Sequence, residues 1–495
     1  MRNLLHVAVL LMGSLFTGCT SSVFTPTASP NPWADDYSSL SSMENYRSWG
    51  TYNVHDPSCC KIGDYYYMYS TDAIFRENRK EAEEKGVPLG FIQMRRYKDL
   101  VNGEVIGWAL PEIPQEAVEW VHSHAGGHGA TNIWAPYIIP YNNKYRLYYC
   151  VSAFGRKTSY IGLAESNSPE GPWTLAGYAV KTDDTTAMNA IDPSITVDPS
   201  NGKWWMHYGS FFGGLYCVEL NPETGLPLVE GDRGHLVARR ANYKKDNLEA
   251  PEIIYNPDLK EYYLFVSYDP LMTTYNVRVG RSDKAEGPFI DYFGKELKDT
   301  TNNFPILTAP YRFKNHPGWA GTAHCAVFTS DGGQYFMAHQ GRLSPQNQMM
   351  DLHVRQVFFT KDGWPVVSPE RYAGSNPREF SAADLVGEWE VIRVQEPLYE
   401  RQLEAGQILW GEGELQDEEW NMSYFVYLEK DGKLDENKGI WDFAKEDQSL
   451  QLTLNGEVVK NLIVFAGHDW ENETETVLFT GLDSRGRSVW GKRIK

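Results

Sequence analysis

The chain has 495 residues, too many for one ordinary core, with 42% hydrophobic and 22% charged residues in globular proportion. Its formal net charge of −19 and the lack of any Lys/Arg-rich block exclude a nucleic-acid binder and favour a neutral partner. Aromatics reach 14%, with 30 Tyr and 16 Trp, which suits an all-β core or a surface on which sugar rings stack.

The first residues, MRNLLHVAVLLMGSLFTGCTSS, carry Arg2, an apolar run, small residues and then Cys19. That order reads as a secretory signal over residues 1–19. Its LFTGC ending resembles a bacterial lipobox, so a lipid anchor is expected on Cys19. The expected location is the cell envelope, lipid-anchored or periplasmic, or outside the cell. Residues 20–48 read as a linker. No other segment approaches the ~20 apolar residues that span a bilayer. Cys59, Cys60, Cys150, Cys217 and Cys325 are odd in number and lack CxxC spacing, so they read as small buried hydrophobes rather than zinc ligands. Cys59 and Cys60 would point to opposite faces of a strand.

A repeat begins near residue 49. GDYYYMYSTD (63–72), NKYRLYYCVS (143–152), GKWWMHYGS (202–210), KEYYLFVSYD (260–269) and GQYFMAHQG (333–341) each open on a polar turn and run into an aromatic strand. Each reads as the second strand of a hairpin. Ahead of them lie HDPS, WAPYI, IDPSI, EAPEI and AHCAV. Taking Asp56, Trp134, Asp192, Glu249 and His324 as the key residues gives steps of 78, 58, 57 and 75. Strand-rich units of that size predict propeller blades, five of them over residues 49–376, with the key residues facing one axis. RENRKEAEEKG (76–86) reads as a helical insertion in the first blade. HSHAGGHG (122–129) reads as a Gly-rich loop at the cleft rim, not a metal site. Residues 380–495 alternate in strand fashion around KDGK and LNGE turns, which predicts a smaller β-sandwich or lipocalin-like β-barrel without catalytic residues.

The ordered HDP, WAP, IDPS and EAPEI blocks resemble glycoside hydrolase family 43, most of all its endo-α-1,5-L-arabinanases. SAFGRKTSYIGLAES, YGSFFGG, GTAHCAV and VRQVFFTKDGWPV add to the likeness. The resemblance implies a five-bladed propeller with a C-terminal β domain, and a monomer that cleaves internal bonds of arabinan with inversion. It implies that Asp56 is the general base, Glu249 the general acid and Asp192 the modulator. Inversion calls for carboxyl groups roughly 6.5–9.5 Å apart, so that water fits beneath the sugar. A neighbouring carboxylate and burial would keep Glu249 protonated. His324 matches the family's axial His, which holds a calcium or similar ion through water. Here Ala323 and Cys325 replace the flanking Gly and Asn of that block. Motif position makes Trp134, Phe154, Asn189, Gly209, Ser210, Phe211 and Phe212 the candidate sugar contacts, and Arg355 a candidate ion-pair partner of a carboxylate. Three other readings compete: an exo-acting arabinofuranosidase or xylosidase, a non-catalytic glycan-binding propeller, and a sucrose-acting propeller whose motifs are missing here.

Overall fold

Aromatic and β-branched runs broken by short turns favour antiparallel hairpins, and that is how the chain folds. The computed structural model describes residues 43–71, 76–240, 246–345, 350–374, 377–397, 415–436, 438–454 and 456–494. The expected signal segment and Cys19 lie outside these residues. The linker expected over 20–48 needs correction at its end. Residues Met43–Ser48 form a 3-10 turn that buries Met43 and Tyr46 beside Trp49, because these apolar side chains cover the edge of the first blade.

Four separate sheets have four antiparallel strands each. The first holds β1 (His55–Ile62), β2 (Tyr65–Thr71), β3 (Phe91–Tyr97) and β4 (Gly103–Leu110). The second holds β5 (Trp134–Tyr141), β6 (Lys144–Ser152), β7 (Ser159–Ser166) and β8 (Thr174–Thr182). The third holds β9 (Ser194–Val197), β10 (Trp204–Tyr208), β11 (Leu215–Leu220) and β12 (His235–Ala238). The fourth holds β13 (Leu248–Asn256), β14 (Glu261–Tyr268), β15 (Asn276–Ser282) and β16 (Ile306–Thr308). Helix α1 (Arg76–Lys85) is the predicted insertion between β2 and β3, and α2 (Gln115–His124) leads into the second sheet.

The fifth repeat corrects the expectation of five blades, since among the described residues four repeats form separate four-stranded sheets and the fifth does not. Its strands β19 (Cys325–Thr329), β20 (Tyr335–Leu343), β21 (Asp351–Phe359) and β22 (Pro365–Val367) belong to a seven-stranded sheet. That sheet continues through β18 (Trp319–Ala320) and β17 (Tyr311–Arg312) to β24 (Asn421–Met422). The sheet grows because β20 is long enough to pair with β19 at one end and β18 at the other. All five predicted aromatic runs are second strands of hairpins.

The innermost strands touch in a ring: β1 meets β5 and β19, β9 lies between β5 and β13, and β13 meets β19. Side chains just after the motif prolines latch this ring. Ser58 Oγ accepts from Ile138 N at 3.1 Å, and Ser194 Oγ accepts from Ile253 N at 3.1 Å. Tyr137 OH donates to the Ile195 carbonyl at 2.8 Å, and Glu252 Oε1 accepts from Val327 N at 2.9 Å. Gln340 Oε1 accepts from Asp56 N at 3.4 Å and joins the fifth repeat to the first. Each latch satisfies a buried backbone group that would otherwise cost about 1–3 kcal/mol.

The remaining strands close a barrel in the order β23 (Gly387–Arg393), β25 (Tyr424–Leu428), β26 (Lys433–Leu434), β27 (Gly439–Ala444), β28 (Ser449–Leu454), β29 (Glu457–Asp469), β30 (Thr474–Leu482), β31 (Ser488–Arg493) and back to β23. The sandwich alternative is thereby excluded. Trp389, Phe479, Leu428, Leu450 and Leu462 fill the barrel interior. The five cysteines of the described residues are all free. Cys150, Cys217 and Cys325 are buried; Cys59 and Cys60 are half-buried on opposite faces of β1, in different core clusters.

Candidate active site

The site grows from one backbone device used five times. Asp56, Ala135, Asp192, Ala250 and His324 all take the left-handed conformation, with φ of 50°, 38°, 57°, 53° and 51°. For residues with a Cβ this conformation is uncommon and costs energy. Pro57, Pro136, Pro193 and Pro251 follow the first four, and a proline offers no amide to the sheet ladder. The result is a register slip at His55/Ser58, Trp134/Tyr137 and Glu249/Glu252. Such a bulge bends the strand and re-aims the side chains around it. The expected phase of the repeat therefore shifts at two blades. Ala135 and Ala250, not Trp134 and Glu249, are equivalent to Asp56, Asp192 and His324. Trp134 and Glu249 stand one residue earlier, in the place that His55 holds in the first blade.

A cavity of ≈ 290 Å³ opens where these turns meet, and it contains Asp56, Asp192, Glu249 and His324. Trp134, Phe154, Phe211 and Phe212 give it aromatic walls, and Asn189, Ser210, His55, Thr71, Leu271, Asn132 and Arg156 complete much of the lining. The Trp134 and Phe154 rings meet edge to face at 6.3 Å, with Phe154 45% exposed at the mouth. Gly209 is not part of the lining. It holds φ of 137°, and a Cβ there would stand 2.5 Å from the Gly214 carbonyl oxygen, so it shapes the turn that carries Ser210. Asn189 donates from Nδ2 to the Ser210 carbonyl at 3.0 Å and accepts from Ser159 Oγ at 2.6 Å, so its amide already braces that turn. Arg355 lies elsewhere: its guanidinium donates to His339 Nε2, the Ser368 and Pro369 carbonyls and the Tyr311 hydroxyl. It ties the fifth repeat together and pairs with no site carboxylate, because β21 carries it away from the cavity.

The three carboxylates have different surroundings. Asp56 Oδ1 lies 2.8 Å from His324 Nδ1 and 3.3 Å from His55 Nε2, while Oδ2 accepts from Thr71 Oγ1 at 2.8 Å. Burial works to raise its pKa, but His324, His55 and Thr71 together outweigh burial and hold Asp56 below the usual carboxylate range. Thr71 Oγ1 in turn accepts from Ala135 N at 2.8 Å, so the second blade sets the hydroxyl that orients Asp56. Asp192 Oδ2 accepts from Ala250 N at 3.0 Å. Burial raises Asp192 well above the usual range, with Glu249 and Asp56 adding like-charge repulsion against His324. Glu249 accepts from Ser210 Oγ and from Tyr275 OH, both at 2.7 Å, and burial still leaves its pKa raised. Asp192 and Glu249 are thus both raised by burial, beside an Asp56 that is held low.

His324 donates its backbone amide to Ser267 Oγ at 2.9 Å. Burial disfavours its imidazolium, but Asp56 at contact and the other two carboxylates push its pKa up to about 9. As an imidazolium it supplies positive charge at this centre. As a neutral ring donating Nδ1–H to Asp56 it leaves the Nε2 lone pair for a metal, the carboxylate-backed arrangement usual for ligating histidines. The residues therefore fit an ion held by one imidazole and waters. Among the described residues, the one group of three carboxyl or imidazole ligands close enough to share an ion is Glu370, Asp469 and Glu471, far from this axis in the sequence and already gathered around Lys492.

Sequence reasoning missed Tyr275, Thr71, Leu271 and the latch residue Glu252. Glu252 is detectable as the residue after Pro251, aligned with Ser58 and Ser194. Tyr275 lies in TTTYNV, outside every repeated block, and nothing in the chain order points to it.

The family model for glycosyl hydrolases family 43 matches residues 50–365, and a model for a C-terminal lipocalin-like domain matches residues 369–491. An extracellular endo-α-(1→5)-L-arabinanase of Thermotoga petrophila is 28% identical over 484 residues, covering 89% of this chain and 94% of that protein. An extracellular exo-α-(1→5)-L-arabinofuranosidase of Cellvibrio japonicus is 30% identical over 336 residues, covering 64% and 86%. The crystal structure of the endo-1,5-α-L-arabinanase from Thermotoga petrophila RKU-1 superposes with a TM-score of 0.74 at 26% identity, covering 90% of this chain and 99% of that one.

Proposed function

This chain belongs to glycosyl hydrolases family 43, and we propose that it hydrolyses internal α-1,5-L-arabinofuranosidic bonds of arabinan with inversion at the anomeric carbon. The observation that carries this reading is three carboxyl groups lining one cavity in different surroundings: Asp56 held low by His324, His55 and Thr71, Asp192 and Glu249 raised by burial. Glycoside hydrolysis needs one carboxylate for water and one carboxylic acid for the leaving oxygen. Asp56, fixed by His324 and Thr71, takes a proton from water as that water attacks the anomeric carbon. Glu249 gives its proton to the departing sugar oxygen. Asp192, held by Ala250 N, stands beside Glu249, and burial keeps the acid's pKa up. The faces of Trp134, Phe154 and Phe212 offer a neutral arabinofuranose apolar contact, in keeping with a substrate that carries no charge.

The same reading takes the strands β19 to β22 as the fifth blade, since the ring of inner strands closes through β19. A calcium or similar ion ligated by Nε2 of His324 and waters would add positive charge beside the carboxylates. The location is outside the cytoplasm, in keeping with the extracellular relatives, with a lipid anchor on Cys19; no helix of the described residues is long and apolar enough to cross a membrane. The protein acts as a monomer. Exo action is the second reading, favoured by the 30% identity to the Cellvibrio japonicus exo-enzyme.

Product analysis on linear arabinan separates the two. A ladder of arabino-oligosaccharides at early times is expected; arabinose or one fixed short product from the start would establish exo action. No hydrolysis of any arabinan would overturn the reading altogether.

A further inference from the structure

Glu249 is held by two hydroxyls of different kinds. Ser210 borders the cavity and donates to Oε2 at 2.7 Å; Tyr275 is fully buried, does not line the cavity, and donates to Oε1 at 2.7 Å. A carboxylic acid carries its proton on one oxygen, and an oxygen that already accepts a phenolic O–H is the poorer place for it. We propose that Tyr275 is a positioning residue that confines the acid proton of Glu249 to Oε2, the oxygen beside the cavity, and stabilises the carboxylate formed when that proton leaves. This rests on Glu249 being the general acid. In the step itself, the Oε2–H bond breaks, the proton bonds to the leaving sugar oxygen, and the bond from the anomeric carbon to that oxygen breaks. The electron pair of that bond stays on the departing oxygen, and the charge left on Glu249 is met by O–H donors at both ends. In the acid form Ser210 Oγ accepts from Oε2–H; in the carboxylate form it donates, a reversal open to any hydroxyl.

The geometry assigns this role to Tyr275 rather than to bulk packing for two reasons. Its hydroxyl meets the carboxyl at the distance of a charge-assisted bond. It also enters from the segment between β14 and β15 and donates to Oε1, the oxygen that Ser210 does not hold. The ionisable groups facing Glu249 are Asp192 from the third blade, Asp56 from the first, His324 from the fifth repeat and Tyr275 itself. Asp56, Asp192 and His324 belong to the cavity, and none donates to Oε1.

The test is Tyr275→Phe in the full chain, with kcat and kcat/KM followed against pH on linear arabinan and on aryl α-L-arabinobiosides of good and poor leaving groups. Loss of one hydrogen bond to a charged group should cut kcat on arabinan roughly 10–100-fold. The 2,4-dinitrophenyl substrate needs little protonation and should change less than about 3-fold. The alkaline limb of the profile should move up, because the carboxylate loses a donor. An unmoved limb, or equal losses on both substrate types, overturns the proposal. Glu249→Gln tests the underlying reading separately: it should lose arabinan hydrolysis and keep the dinitrophenyl reaction. If it keeps arabinan hydrolysis, the assignment of the acid falls whatever Tyr275→Phe does. Should Tyr275→Phe fail to fold, the infrared difference spectrum of wild type against Glu249→Gln reads the same contact. A C=O stretch lowered by hydrogen bonding supports the proposal, and the frequency of an unbonded carboxylic acid overturns it.

Discussion

Two places in this molecule gather three buried carboxyl groups with a basic side chain among them, and they are built differently. In the cavity, Asp56, Asp192 and Glu249 surround His324. At the junction of the propeller with the barrel, Glu370, Asp469 and Glu471 surround Lys492. The lysine ammonium touches all three, lying 2.9 Å from both Glu370 Oε1 and Asp469 Oδ1 and in contact with Glu471, with the Phe313 ring 3.9 Å away. The ammonium meets every carboxyl there, although burial and the neighbouring Glu471 still raise Glu370 well above the usual range. The imidazole of His324 contacts Asp56 alone, so Asp192 and Glu249 face each other without a cation at contact, and burial raises both. What differs is whether the cation reaches every carboxyl: Lys492 ties its three partners together, whereas Asp192 and Glu249 are left lining a cavity.

The comparison breaks most sharply by mutation. In the cavity, Asp56→Asn or Glu249→Gln should lower kcat on arabinan by about 10²–10⁴-fold with the melting temperature near that of the parent, checked by steady-state kinetics and calorimetry. At the junction, Lys492→Met leaves carboxyl groups buried without a counter-charge. It should cost about 3–5 kcal/mol in denaturant unfolding, while kcat per folded molecule stays unchanged. If Lys492→Met spared stability, or Glu249→Gln abolished folding, the two clusters would not differ as described.

A pH series sharpens it further. Asp56 is depressed in the folded state, so its contribution to stability is present above its unfolded pKa and is lost as pH falls through the folded one, in strong acid. Glu249 and Asp192 are raised, so they hold their proton into a range where Asp56 is already ionised. The kcat/KM profile should be a bell with its acid limb below the usual carboxylate range and its alkaline limb above it. Near the barrel, His339 and His316 are held neutral by burial, with pKa lowered to about 3 and about 4. The unfolded chain binds protons there before the folded one does. Each should therefore remove roughly 1.4 kcal/mol per pH unit as pH falls below about 6.5, read from urea midpoints at several pH values.

The smallest effect is expected at the mouth of the cavity. Phe154→Ala should raise KM for arabinan by roughly 3–10-fold with little change in kcat, since a half-exposed ring contributes about 0.5–1.5 kcal/mol through stacking. A loss confined to kcat would place Phe154 with the chemistry instead.

Most of this was legible in the chain because a propeller repeats its backbone device in one dimension. Asp-Pro and Ala-Pro mark the same left-handed turn at four inner strands, so the three carboxylates and the imidazole lie at a repeated position or one residue before it. The phase was still misplaced by one at Trp134 and Glu249, since acidic or aromatic identity draws attention before the residue that takes the left-handed turn. Composition also fixed the all-β class, the hairpin position of each aromatic run and the separate C-terminal domain. Tertiary structure decided the rest. It merged the fifth repeat into a seven-stranded sheet, closed the second domain as a filled barrel, and made Gly209 a support for the turn that carries Ser210 rather than part of the cavity lining. It sent Arg355 away from the carboxylates and brought in Tyr275 from a segment with no motif. A motif records what one strand must present to an axis. Which hydroxyl or cation comes within 3 Å of it depends on how different blades pack, and no single stretch of sequence holds that distance.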